Sequence, residues 1–390
     1  MSDAIGDQIT LEVTGLAPGG EAVGRQVGGA PDHDGRVTFV AFAAPGERVR
    51  ARLLREKGRV AWAELEEIER AAPERVAPPC PLFGRCGGCQ WQHVPRALQL
   101  EAKRRIVERA LGIPVEVRAV GPDYGYRDRA RLVVGEGSED ERAIGFRAWR
   151  SHEIVDVPAC PLFGAALAAV LPAVRGRARA QEPGTEVELQ AGRDGVVARI
   201  GARSVAYRDG VEIEGSDVDI SEPGGPPLRI PAGAFAQVGA AANAALVAAV
   251  LEALGEAPGR TLELYAGSGN FTRHLVGRAE VLASDADGAA LARGRAQVPR
   301  ARWLEAPRPA QVGEVETVLV DPPREGLDAG NLALCRLARR RLVYVSCDPQ
   351  TLGRDVQRLG AAGLKLERAV ALDLMPQTYH VEVVASFGRG

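Results

Sequence analysis

Thr261-Leu262-Glu263-Leu264-Tyr265-Ala266-Gly267-Ser268-Gly269-Asn270-Phe271 reads as a short buried strand entering a Gly-rich turn and then a helix. Glycines at 267 and 269 let the backbone turn tightly and approach a ligand closely. Downstream, helices alternate with further short apolar runs, AEVLASD, TVLVDPP and RLVYVSC. That alternation predicts an open, mostly parallel α/β sheet of Rossmann-like type. AEVLASD ends in Asp285, an acidic side chain suited to the two hydroxyls of a ribose. The three-glycine dinucleotide signature and the Gly-Lys-Ser/Thr of phosphate loops are both absent. A sulfonium nucleoside has no phosphates to cradle, so the turn points to a methyl donor.

Two further strand ends carry chemistry. RLVYVSC places Cys347 just beyond a buried strand, and TVLV delivers Asp321 to the same sheet edge. A thiolate there can add to carbon 6 of a pyrimidine and make carbon 5 nucleophilic. A base must then remove the proton from carbon 5, and Glu382, in His380-Val381-Glu382, is the candidate. The bland alternatives are a buried cysteine serving as a small hydrophobe and a solvated strand glutamate.

Residues 8–70 read as short strands, QITLEVTGL, EAVGRQVG, VTFVAFA, ERVRARLLRE and RVAWAELEEIE, at the spacing of a small β-barrel. The alternating Val/Arg strand after Pro45-Gly46 predicts one basic polar face, either solvated or in contact with RNA. A Pro-containing connector, 71–79, leads to a cysteine cluster, and Arg96–Leu111 has a helical apolar pattern ended by Gly112 and Pro114. Strand-like runs dominate 126–220, interrupted by an Ala-rich helix near 164–174, and 221–227 is a Gly/Pro linker. Within this part, Arg127, Arg129 and Arg131 alternate along one strand beside Tyr124 and Tyr126. Such a row can grip phosphates and stack on bases, or simply be a salt-bridged surface strand.

The chain has 390 residues, 46% hydrophobic and 26% charged, enough for two or three domains with real cores. A net charge of −2 excludes a strongly basic non-specific nucleic-acid binder, so RNA contact must come from local Arg clusters. Residues 1–10 lack a leader pattern, and no apolar run approaches the roughly 20 residues of a membrane helix. A cytoplasmic monomer without membrane contact is expected. Of six cysteines, Cys80-x5-Cys86-x2-Cys89 cluster and Cys160 stands apart; this spacing suits an iron–sulfur cluster or structural zinc.

Taken together, the ordered motifs resemble the RNA uracil-5-methyltransferase family. They are Glu263-Leu-Tyr-Ala-Gly-Ser-Gly-Asn-Phe271, Asp321-Pro-Pro-Arg324, Val345-Ser-Cys-Asp-Pro349, the His380-x-Glu382 pair and Pro231-Ala-Gly-Ala-Phe-Ala-Gln-Val238. The resemblance spans nearly the whole chain. It implies Cys347 as nucleophile and Glu382 as base. Gln237, Tyr265, Gly267, Gly269, Asn270, Asp285 and Asp321 would surround S-adenosylmethionine, and Phe235 would lie near a flipped uracil, with Arg127, Arg129 and Arg131 along the RNA. Asp348 stands where many members carry Asn.

The resemblance also implies domains: a TRAM-like, OB-like barrel over 1–72, a mainly β central domain over 73–95 and 122–229, and the catalytic domain over 96–121 and 230–390. Cys80, Cys86, Cys89 and Cys160 would hold a 4Fe–4S cluster, since Cys-Pro-Leu-Phe-Gly recurs at 80–84 and 160–164. The expected substrate is 23S ribosomal RNA, with the T-loop uridine of transfer RNA as runner-up. Rival readings are a cytosine-5 RNA methyltransferase, which carries a cysteine where Asp321-Pro322-Pro323 stands, a small-molecule methyltransferase and a silent RNA-binding protein.

Overall fold

The computed structural model describes residues 5–28, 34–138, 141–222 and 224–389. Residues 1–4 of the opening segment and Pro223 of the expected linker lie outside them. The chain forms two compact units. One comprises Met1–Ile106, Phe146–Val155 and Met375–Tyr379; the other comprises Val107–Gly145, Asp156–Leu374 and His380–Gly390.

The first unit carries a closed barrel of β1 (Gln8–Leu16), β2 (Ala22–Gln26), β3 (Val37–Val40), β4 (Arg48–Lys57) and β5 (Val60–Arg70), ordered β1-β2-β3-β5-β4. Period-two alternation turns Ile9, Leu11 and Val13 inward against Val49, Ala51 and Leu53. Closure removes the exposed strand edges. The outer face of β4 is not the basic surface that its arginines predict. Arg48 pairs with Glu12 at 3.2 Å and Glu69 at 3.1 Å, Arg50 with Glu67, and Arg52 with Glu64. Antiparallel pairing with the Glu-rich β5 supplies most of these partners.

Helix α1 (Arg96–Leu111) has the bounds that its apolar pattern predicts, and β6 (Glu116–Ala119) follows it. A seven-stranded sheet then uses β7 (Arg129–Val134), β8 (Ile144–Arg147), β9 (Ile154–Asp156), β10 (Glu186–Gly192), β11 (Gly195–Ile200), β12 (Arg203–Arg208) and β13 (Val211–Ile213). Helix α2 (Ala165–Ala178) interrupts these strands and runs through Pro172, beyond the expected end near residue 174. The pair β14 (Asp217–Asp219) and β15 (Arg229–Pro231) flanks the 221–227 segment.

The rest of the second unit is an eight-stranded sheet with helices. Its elements are α3 (Ala240–Leu254), β16 (Thr261–Leu264), α4 (Thr272–Leu275), β17 (Val281–Ser284), α5 (Gly288–Gln297), β18 (Arg302–Leu304), α6 (Pro309–Val312), β19 (Val315–Val320), α7 (Ala329–Cys335), β20 (Ala338–Ser346), α8 (Pro349–Gly360), β21 (Leu364–Asp373) and β22 (Glu382–Arg389). The strand order is β18-β17-β16-β19-β20-β22-β21-β6. Strands β16 to β20 pair in parallel, while β22 lies antiparallel between β20 and β21.

Two consequences place the site. The chain leaves β16 toward β17 on one side and returns through β19 on the other, so β16 stands at the switch point where open α/β sheets bind ligands. In addition, β22 meets β20 with Val383 opposite Ser346. The next residue in each direction is Glu382 and Cys347. One register therefore brings both to a single edge.

Among the described residues, no helix is long and apolar enough to cross a membrane. Beneath the Gly-rich turn, Trp303 packs against Gly269 and Gly294, where an added Cβ on Gly294 would come within 2.2 Å of the indole. Gly294→Ala is expected to cost about 1–3 kcal/mol through this overpacking. The check is thermal unfolding, and a melting temperature equal to wild type would contradict the packing.

Candidate active site

Five adjacent strands each bring one ionisable group to or near this edge: Asp285 follows β17, Glu263 lies within β16, Asp321 follows β19, Cys347 follows β20 and Glu382 opens β22. The turn after β16 adopts the conformation that its glycines allow, with φ of 58° at Gly267 and 99° at Gly269. Tyr265 also has a positive φ, 60°, a strained value for a bulky residue. Its hydroxyl accepts a bond from Asn331 Nδ2 at 2.8 Å and donates to Asp328 Oδ2 at 3.3 Å, which ties the turn to the start of α7.

Asp285 braces the same turn. Its Oδ2 accepts the Gly267 N–H at 2.7 Å and its Oδ1 accepts the Asp287 N–H at 2.8 Å. Asn270 closes the turn with its amide paired to Asn243. Gln237 lies in the loop before α3 and lines a cleft with Asn243, Asp128 and Ser221. Tyr265, Gly267, Gly269, Asn270 and Asp285 thus share one turn and its brace, with Asn243 of that cleft bonded to Asn270.

Crowding of acids sets the electrostatics. Burial raises the Asp321 carboxyl to about 7, with the Asp285 charge adding to the rise. Glu263 rises to about 8, chiefly by burial; Thr272 Oγ1 donates to its Oε2 at 2.7 Å, and its Oε1 has no hydrogen-bond partner. Glu382 is raised well above the ordinary carboxylate range, first by burial and then by Asp321. Burial and the Glu382 charge push the Cys347 thiol up to about 11.

One cation opposes this trend. Arg324 lowers both the Cys347 and Glu382 pKa values and contacts His380 Nδ1 at 3.1 Å through Nη2. In the sequence nothing local marks Arg324 beyond its place in Asp-Pro-Pro-Arg. For Glu263 the one local signal is a carboxylate inside the apolar run TLEL. Asp348 caps α8, its carboxylate accepting the Thr351 N–H at 2.9 Å. An Asp performs that task as well as Asn and suits the helix N-terminus.

The expected RNA residues divide. Phe235 is 72% exposed, with the Arg129 guanidinium 5.5 Å from its ring centre and Arg129 Nη1 donating to Ala236 O at 3.1 Å. Arg131 instead pairs with buried Glu188 at 3.0 Å, so its charge is already met. Arg127 precedes β7, and its Nε is buried without a hydrogen-bond partner.

Cys80, Cys86 and Cys89 belong to the first unit and Cys160 to the second. All six cysteines are thiols, and among the described residues no group of three or more His, Cys, Asp or Glu is gathered as a metal-ion site. Both Cys-Pro-Leu-Phe segments form the same turn, with the Phe83 and Phe163 N–H groups 3.1 Å from the Cys80 and Cys160 carbonyls. Thiols are the soft donors that iron–sulfur chemistry takes, and Cys80 and Cys160 open matching turns, one in each unit.

Comparison with known proteins adds an independent line. A family model described as tRNA (Uracil-5-)-methyltransferase matches residues 311–387, which include Asp321, Arg324, Cys347 and Glu382. The chain is 36% identical to the 23S rRNA (uracil(1939)-C(5))-methyltransferase RlmD of Pseudomonas entomophila, over 92% of this chain and 90% of that protein. It is 32% identical to the RlmD of Pectobacterium carotovorum, over 97% and 93%. The chain belongs to the RNA uracil-5-methyltransferase family. Within that family, the crystal structure of the Pyrococcus abyssi tRNA (uracil-54, C5)-methyltransferase with S-adenosyl-L-homocysteine superposes with a TM-score of 0.75. It is 25% identical and covers 97% of this chain and 100% of that one. The fold is thus a family methyltransferase domain joined to an N-terminal barrel and mainly β structure, and the protein is an S-adenosylmethionine-dependent RNA methyltransferase.

The raised Asp321 value has a sign that stability can read. An unfolded Asp ionises near 3.9 and the folded one at about 7, so the folded state binds more protons between these values. Stability from this group is full below about pH 4 and lost as pH rises through 7. Asp321→Asn should therefore melt higher than wild type at pH 8, with the gap closing below about pH 4. A gap that does not change with pH would contradict this electrostatic assignment.

Proposed function

We propose that this protein methylates carbon 5 of one uridine in 23S ribosomal RNA through a covalent Cys347 adduct, acting as a cytoplasmic monomer. The observation that carries the reading is the antiparallel register that sets Cys347 beside Glu382 at the donor edge of the sheet. Support for the RNA comes from the RlmD names of the relatives. Transfer RNA is the second reading, favoured by the Pyrococcus abyssi neighbour.

Cys347 gives up its proton to water, as Glu382 does before it acts as a base, and the Cys347 sulfur bonds to carbon 6 while the displaced π electrons move toward carbon 5 and oxygen 4. A thiol held at about 11 is protonated at rest, so Arg324 is the group that stabilises the thiolate as it forms. The methyl donor supplies an electrophilic carbon whose bonding pair leaves with its sulfur. Carbon 5 takes that carbon and then carries both hydrogen and methyl. Glu382 accepts the carbon-5 proton, the carbon 5–6 double bond re-forms, and the carbon–sulfur bond breaks to release Cys347. A buried glutamate with a raised pKa is matched to such a transfer near neutrality.

Gln237, Asn270, Asp285 and Asp321 hold the donor in this reading, with the Gly267 and Gly269 backbone close against it. Phe235 and Arg129 form a stacking surface for a base taken out of its helix, which costs a few kcal/mol (about 2–4). Arg127 contributes to backbone contact, while Arg131 stays paired with Glu188. Cys80, Cys86, Cys89 and Cys160 hold a 4Fe–4S cluster with a role in folding and RNA contact, supported by the paired turns and by their thiol donor set.

Tritium release from RNA labelled at carbon 5 of uracil tests the reaction. Wild type should release tritium, while Cys347→Ala and Glu382→Gln should fall by at least about 1000-fold. Release that survives Cys347→Ala would overturn the nucleophile. Separately, anaerobically purified protein should contain iron and sulfide, both lost in Cys160→Ser. Stoichiometric zinc without iron would overturn the cluster.

A further inference from the structure

We infer that Asn243 and Arg273 are positioning residues that fix which atom of the Asn270 amide faces the methyl donor. The inference rests on the reading of the Gly267–Gly269 turn as the donor site.

Asn243 sits in the first turn of α3, 4% exposed. Its amide and that of Asn270 exchange two bonds. Asn243 Nδ2 donates to Asn270 Oδ1 at 3.0 Å, and Asn270 Nδ2 donates to Asn243 Oδ1 at 2.7 Å. Such a reciprocal pair is degenerate by itself. Turning both amides over exchanges donor and acceptor on each side and leaves the two bonds intact.

Arg273 removes the degeneracy. Its side chain is buried, with Nη2 3.4 Å from Asn270 Oδ1 and Nε 3.2 Å from the Asn270 carbonyl oxygen. A guanidinium only donates, so the Asn270 atom beside it must be the oxygen. Both acceptor positions of Oδ1 are then filled, by Asn243 and Arg273. One Nδ2 hydrogen goes to Asn243. The other remains, so Asn270 offers a ligand one N–H and no acceptor. That restricts its contact to an oxygen or nitrogen lone pair of the donor.

A buried guanidinium needs its charge met, and the 221–227 segment meets it. Glu222 Oε2 pairs with Arg273 Nη2, and Pro226 O accepts from Nη1. His274 Nε2 lies 2.8 Å from Glu222 Oε1, and burial together with Arg273 lowers the His274 pKa, so Arg273 is the cation that Glu222 serves. The segment expected to be only a linker therefore anchors the residue that orients Asn270.

The experiment is calorimetric binding of S-adenosylhomocysteine to the full chain, combined with methylation kinetics. Asn243→Ala and the doubly neutral Glu222→Gln/Arg273→Met variant should bind the ligand about tenfold more weakly, the scale of one or two lost hydrogen bonds. At saturating donor both should keep kcat within about twofold, which a general loss of structure would not permit. Arg273→Lys, which keeps the charge and a donor toward Oδ1, should recover most of the affinity. Wild-type affinity in Asn243→Ala and the double variant overturns the inference. A wild type that binds no S-adenosylhomocysteine overturns the donor reading itself, which separates the two failures.

Discussion

Strand β22 enters the sheet against the direction of its neighbours, and the geometry of the site depends on that reversal. Parallel strands bring their C-terminal ends to one edge. An antiparallel strand inserted beside β20 brings its beginning there instead. Glu382 thereby meets Cys347 although 34 residues separate the two along the chain, across α8 and β21. A slip of one residue would turn Glu382 to the opposite face of the sheet, because side chains alternate with period two. The apolar run Val383, Ala385 and Phe387, fully buried in the core, holds that register.

The same concentration of groups sets the energetics. Three carboxyls with raised pKa values and a raised thiol share an edge that contains Arg324 as the cation acting on the reacting pair. Such an arrangement favours neutral side chains at rest and leaves the nucleophile protonated. Ionisation of Cys347 is then tied to whatever next brings compensating interactions into the site. Arg324 bridges this requirement because its charge acts on both the thiol and Glu382 and it is held by His380.

Much of this was legible in the residues. The turn at 265–271 and the helix Arg96–Leu111 are local features, coded by glycine placement and by apolar period, and the structure reproduces them. What escaped sequence reasoning was pairing between distant segments. Arginines 48, 50 and 52 look like a basic face until β5 sets glutamates beside them. Arg131 looks available for RNA until β10 supplies Glu188. Glu222 looks like part of a solvated linker until α4 places a buried arginine against it. In each case the neighbour that decides the role is remote in sequence, and only tertiary pairing reveals it.

The covalent bond between sulfur and the pyrimidine ring is the central claim. It is tested most directly by incubating the protein and S-adenosylmethionine with RNA in which the target uridine is 5-fluorouridine. Fluorine cannot leave as a proton does, so elimination is blocked. The account predicts a methylated RNA–protein complex that survives denaturing electrophoresis, with the attachment mapped by mass spectrometry to the peptide containing Cys347. RNA that is bound and donor that is consumed, with no covalent complex or with attachment elsewhere, would contradict it.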